Sequence, residues 1–219
     1  MRRFVAIGGG EMRSQVKINE FVASLIDREK LVGRTKPYVL FFPQASHESK
    51  PYTNSFFKTY GKLKCKADVV LFEQGEMDRE HILHKIVKAD ILYFGGGDLR
   101  YLLDRLDAMD LREAIVEAYN RGVVFAGNSA GAMCLYKNAL SDYLIERGEG
   151  DDYVLVDGYN IIDETCVCHA DEEKRKVKAD SLDIPNIRLI PSDTAVYYED
   201  EQAVMTIEED KEGDSNVGL

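Results

Sequence analysis

The chain has no tryptophan, only five prolines and only four cysteines in 219 residues. Cys65, Cys134, Cys166 and Cys168 lack the spacing of a disulfide framework, so free thiols in a reducing cytoplasm are expected. Long apolar runs are missing as well, which leaves no segment able to span a bilayer as a helix. The opening Met1-Arg2-Arg3 reaches Gly8 before the apolar stretch of a signal peptide could form, so the protein is read as cytoplasmic. Cations are in deficit: 28 Lys and Arg against 39 Asp and Glu give a net charge of −11. That balance argues against nucleic acid as a partner, because phosphate neutralisation needs clustered basic residues. No repeat, Pro-rich linker or low-complexity block marks a boundary, so residues 1–207 are expected to form one domain. Residues 208–219, acidic and glycine-bearing, are expected to form a frayed tail.

What the chain does have is rhythm. Short apolar runs at 4–7, 38–42, 68–72, 91–94 and 123–126 alternate with amphipathic segments at 15–30, 50–64, 78–88, 99–106 and 110–121. Runs that are apolar at nearly every position suit strands covered on both faces, and the alternation predicts a doubly wound α/β fold with a mostly parallel sheet. Beyond residue 129 the runs shorten, at 153–156, 165–168, 187–190, 195–198 and 203–207, which reads as later strands, some antiparallel. Residues 171–181 read as one more helix, whose Lys174-Arg175-Lys176 cluster is by default a solvated face.

The segment Gly127-Asn128-Ser129-Ala130-Gly131-Ala132 follows a buried strand and leads into helix formers. A serine between glycines two positions away on either side suits a nucleophile elbow, a sharp strand-to-helix turn that presents the hydroxyl to a cleft. An ordinary tight turn in an α/β protein could carry the same letters. A serine needs a base, and four histidines are available. His81 and His84 lie in a helical pattern with charged neighbours, where surface placement is the default. His47 follows a strand and remains an alternative, while His169 ends the run at 165–168 and follows Ser129, which makes it the first choice. Zinc held by Cys166, Cys168 and His169 is disfavoured, since residues two apart on a strand point one way and the next residue the other. An acid to orient the imidazole is ambiguous: Asp193 comes first, with Asp142 and Asp171 behind it, and each could equally be a turn or cap residue. Gly95-Gly96-Gly97-Asp98 lacks P-loop and dinucleotide spacing and suits an oxyanion hole formed with the amide after Ser129. Gly8-Gly9-Gly10 reads as a close-packed turn.

Phe94-Gly95-Gly96-Gly97-Asp98, then Gly127-Asn128-Ser129-Ala130-Gly131-Ala132, then His169, in that order, resemble the dipeptidase E and cyanophycinase family of serine peptidases, over residues 4–203. The resemblance implies a class I glutamine amidotransferase-like fold, with Ser129 as nucleophile, His169 as base and the N–H groups of Gly97 and Ala130 as oxyanion donors. It implies hydrolysis of small aspartyl peptides of the Asp-Xaa type, or alternatively of β-aspartyl peptides, by a monomer or homodimer with no metal or organic cofactor. An acidic substrate side chain would need a cation, for which Arg175 is the candidate, with Asp98 as a further substrate contact. Where relatives carry a glutamate after a late proline turn, this chain has Ser192 with Asp193 beside it, and it ends early, which implies a trimmed or open edge of the site. A non-catalytic binding protein of the same fold, with Ser129 a relic, is the alternative of a different class.

Overall fold

The computed structural model describes residues 1–73 and 75–210. Its main sheet is built from β1 (Arg3–Ile7), β2 (Tyr38–Phe42), β3 (Lys66–Val69), β4 (Ile91–Phe94), β5 (Val124–Asn128), β10 (Thr194–Glu199) and β11 (Gln202–Glu208). These run in the order β11-β10-β1-β5-β4-β2-β3. Strands β1 to β5 are mutually parallel, and β10 and β11 close the sheet antiparallel. This is the mostly parallel, helix-covered α/β architecture read from the apolar rhythm.

Alternate residues of each strand serve opposite faces. Val5, Ile7, Val39, Phe41, Ile91 and Tyr93 pack against α1 (Val16–Ser24) and α2 (Lys50–Lys62). Phe4, Ala6, Leu40, Phe42, Leu92 and Phe94 pack against α3 (Arg79–Lys88), α4 (Leu99–Ala108), α5 (Arg112–Asn120) and α6 (Ala130–Met133). Local capping starts three of these helices: the Ser49, Asp78 and Asp98 side chains accept from Tyr52, His81 and Tyr101 N–H respectively. For α1 the cap comes from far away. Gln15 makes no side-chain cap, and the Glu209 carboxylate accepts from Lys17 N–H at 3.1 Å and Ile18 N–H at 2.7 Å.

Several boundaries differ from expectation for physical reasons. The segment at 15–30 is helical only to Ser24, because Asp27 accepts from Glu29 N–H and starts a separate short 3₁₀ turn, Arg28–Lys30. The run at 68–72 marks burial better than pairing: β3 pairs over Lys66–Val69, while Val70 and Phe72 are buried beyond its end. A second sheet was not foreseen. It has the order β7-β6-β8-β9, from β6 (Tyr136–Ser141), β7 (Val154–Asp157), β8 (Ile162–Cys168) and β9 (Ile187–Ile190), with the short α7 (Tyr143–Glu146) after β6. Lys137 and Asn138 in β6 are not buried, which broke the apolar pattern that would have revealed the strand. The last helix, α8, spans Glu173–Asp180. Of the acidic end expected to fray, Glu208 closes β11, Glu209 caps α1 and Asp210 pairs with Lys17 at 2.5 Å; residues 211–219 lie outside the described residues. Among the described residues no helix is long and apolar enough to cross a membrane.

The α2 face of the sheet is keyed by aromatics, with Phe41 stacked on Phe56 at 4.5 Å and edge-on to Tyr52 at 5.1 Å and Tyr93 at 5.9 Å. Phe41→Ala therefore leaves a cavity between β2 and α2, and a loss of about 3–5 kcal/mol in urea unfolding is expected.

Candidate active site

Strand β5 ends at Asn128, and Ser129 follows at φ 50° and ψ −116°, a left-handed turn that throws its side chain off the carboxyl end of the sheet. The flanking glycines permit this. A Cβ on Gly127 would lie 2.2 Å from the Gly131 carbonyl oxygen, and one on Gly131 would lie 2.1 Å from that of Phe94. Strand, turn and helix thus touch backbone to backbone, which is the reason for G-x-S-x-G at this place.

The Ser129 Oγ lies 2.9 Å from His169 Nε2. His169 leaves the end of β8, and its N–H donates to the Gly8 carbonyl at 2.8 Å. Its ring lies over Gly9, where a Cβ would come within 2.0 Å of the imidazole Cε1. Burial, with Arg175 nearby, pulls the imidazole below its ordinary value, against the opposite pull of Glu172, Asp142 and Asp171. A neutral ring can accept from Ser129 at Nε2, which puts its proton on Nδ1. Nδ1 faces Ser192 Oγ at 3.1 Å, and Ser192 N–H donates to Asp171 Oδ1 at 2.7 Å.

Asp193 is not brought to the ring. It adopts φ 53°, its N–H donates to the Gly9 carbonyl, and its carboxylate lies beside Gly10 and 3.5 Å from Gln15 Nε2. The residue facing Nδ1 is its neighbour Ser192. Asp142 lies in the cleft but is bound to Arg175. His47 packs against Tyr101 with ring centroids 4.0 Å apart and planes tilted by 41°, and His81 and His84 are exposed on α3. The Cys166 and Cys168 thiols face each other at 3.7 Å in the core while the His169 ring turns to the two serines.

Among the described residues neither Gly97 N–H nor Ala130 N–H has a backbone acceptor, and a Cβ on Gly96 would lie 3.4 Å from the Ser129 Cβ. The glycine-rich end of β4 and the first turn of α6 therefore flank the serine with unspent donors. Asp98 does not reach the cleft: Oδ1 accepts from Tyr101 N–H and Oδ2 from Arg147, so it is a helix cap and ion-pair partner.

In front of Ser129 lies a cleft of about 580 Å³, lined among others by Glu11, Arg13, Tyr52, Asp142, Glu146 and Arg175. Arg175, expected on a solvated face, is 4% exposed and paired with Asp142 and Glu172, with Nη1 buried and unpartnered. Arg13 donates to Ser55 Oγ and, among the described residues, forms no ion pair. Burial, together with Asp142 and Asp98, raises the Glu146 carboxyl above its usual range. Tyr52 accepts from Gly96 N–H at 3.3 Å and Asn128 Nδ2 at 3.4 Å. Sequence reasoning missed Arg13, Tyr52 and Glu146, since each sits in an ordinary helical or loop context and only the fold gathers them.

Fold and site define a class: an α/β protein with an elbow serine hydrogen-bonded to a histidine at the carboxyl edge of a parallel sheet. The chain belongs to peptidase family S51, whose model matches residues 4–210. It is 29% identical over 146 residues to the uncharacterized peptidase YgaJ of Bacillus subtilis strain 168, covering 65% of this chain and 60% of that relative's length. The fold is shared with a peptidase from an acI-B1 Actinobacterium, at 21% identity and a TM-score of 0.66 over 90% of this chain and 83% of that one. It is shared also with a structure from Listeria monocytogenes EGD-e titled "Putative Peptidase E Protein", at 18% identity and a TM-score of 0.68 over 96% of this chain and 100% of that one.

The space over Gly9 makes a direct prediction. Gly9→Ala drives the imidazole off Ser129 and toward water, so the His169 titration followed by NMR rises toward the ordinary value near 6.5. An unchanged titration would show that the ring does not depend on that space.

Proposed function

We propose that the protein is a serine peptidase that hydrolyses small aspartyl peptides of the Asp-Xaa type through an acyl-enzyme on Ser129. The observation that carries the reading is the 2.9 Å contact between Ser129 Oγ and His169 Nε2 at a left-handed elbow. Family membership supports it.

In this reading His169 takes the Ser129 proton as Oγ attacks the scissile carbonyl, then hands it to the leaving amine. The oxyanion accepts from Gly97 and Ala130 N–H, donors fixed by the fold before substrate arrives. Water enters with the same imidazole as base and releases the acyl group. Two guanidinium groups in the cleft support an acidic substrate: Arg13, which is free of ion pairs among the described residues, and Arg175, with its unspent Nη1. Glu11 and Glu146 offer carboxylates to a free amino group. A small substrate suits a cleft of this size.

Ser129→Ala should abolish cleavage of α-Asp-Leu in a panel with β-Asp-Arg, Glu-Leu and Ala-Leu, with the thermal melt unchanged. Turnover retained by this variant would overturn the assignment, and cleavage of Ala-Leu as fast as α-Asp-Leu would overturn the aspartyl preference. Since the free enzyme needs neutral His169 and burial depresses its basicity, the acid limb of kcat/KM should fall below about pH 6.5. A limb above that value would mean a different base.

A further inference from the structure

If His169 is the base, something must hold its Nδ1 proton and stabilise the imidazolium that forms, a task for which a carboxylate is the usual group. Among the described residues no carboxylate touches Nδ1; a hydroxyl does, that of Ser192 at 3.1 Å. A serine hydroxyl can accept from Nδ1–H while donating its own proton onward, so it transmits the influence of whatever lies behind it.

What lies behind Ser192 is Asp171. Its Oδ1 accepts from Ser192 N–H at 2.7 Å, and it sits two residues beyond His169 on the same loop. The other acids nearby are engaged elsewhere: Asp142 and Glu172 pair with Arg175, and Asp193 turns toward Gly10 and Gln15. Burial works to raise the Asp171 carboxyl. The Ser192 amide and hydroxyl, its own amide and the nearby imidazole outweigh that and hold it below the usual carboxylate range, so it is an anion at neutral pH.

We infer that Ser192 and Asp171 together replace the missing triad carboxylate, with Asp171 a positioning residue that acts on His169 through the Ser192 hydroxyl. This rests on the serine-peptidase reading above. In this inference Nδ1–H donates to Ser192 Oγ, which leaves the hydroxyl proton to turn toward the Asp171 carboxylate that the Ser192 amide already holds. When His169 takes the Ser129 proton, that chain stabilises the added positive charge, and no proton passes to Asp171, which stays a carboxylate. The arrangement is softer than a carboxylate on the ring, because one neutral group separates the opposite charges.

The competing explanation is that Asp171 only staples the loop 169–172 to the loop 191–193. Asp171→Asn separates the two, because an amide oxygen still accepts from Ser192 N–H while the negative charge is gone. The readout is the pH dependence of Ser129 labelling by a fluorophosphonate, which needs no knowledge of the substrate. Groups facing His169 are Arg175, Glu172 and Asp142 beside Asp171, and all stay in place in this variant.

Asp171→Asn should slow labelling roughly tenfold or more at its plateau and move the acid limb to lower pH, since the imidazolium loses an anion. Ser192→Ala should do the same, and the double variant should be no slower than either single one. Ser192→Asp combined with Asp171→Asn, which sets a carboxylate against Nδ1, should recover most of the rate. Labelling within twofold of wild type in Asp171→Asn with an unmoved acid limb would overturn the inference, as would effects that multiply in the double variant. Labelling that persists in Ser129→Ala would instead overturn the serine reading itself, so the two failures are distinguishable.

Discussion

The structure turns on the glycine run at the end of β1. Ile7 accepts from Ser129 N–H, Gly8 accepts from His169 N–H, and Gly9 accepts from Asp193 N–H, so three loops from distant parts of the chain are anchored on consecutive carbonyls. Two of those loops leave the small sheet or its neighbours, and one ends the central strand of the large sheet. Because those carbonyls hold the loop after β5 of the large sheet and the loops after β8 and β9 of the small one, the same short segment joins both sheets and sets the distance between serine and histidine. Side chains here would not fit: beyond the imidazole over Gly9, a Cβ on Gly8 would lie 2.1 Å from the Pro191 carbonyl oxygen.

This also explains what was legible in the sequence. Four of the five parallel strands are apolar at nearly every position, so β1, β2, β4 and β5 stood out, and Gly127-Asn128-Ser129-Ala130-Gly131 announced the elbow because backbone crowding at Gly127 and Gly131 leaves no room for a side chain. His169 could be picked by its place at a strand end. The acid could not, since reading Asp193 for the ring requires knowing which of two adjacent residues turns toward it, and positive φ at Asp193 sends its carboxylate away while Ser192 faces Nδ1. The small sheet was hidden because β6, though largely buried, carries Lys137 and Asn138, which break its apolar pattern. Arg175 looked like part of a solvated basic face until the fold buried it between Asp142 and Glu172.

The cleft combines a depressed histidine with one answered pair, Asp142 and Arg175, and with Arg13, which forms no ion pair among the described residues. Desolvation favours the neutral imidazole a base needs, while Glu172, Asp142 and Asp171 limit how far it falls. A ring pulled down without limit would be too weak a base to take a serine proton. Arg175 belongs to this balance as much as to any ligand, because its charge lowers the imidazole while the acids it pairs with raise it.

Glu209 caps α1 across a sequence separation of more than 190 residues. Until that contact forms, the amide groups at the start of α1 are bare, and β1 waits for β5 and β10 on its two sides. Completion of the β1–α1 unit depends on β10 and β11, which lie far along the chain, and this favours a late, concerted closure over unit-by-unit folding.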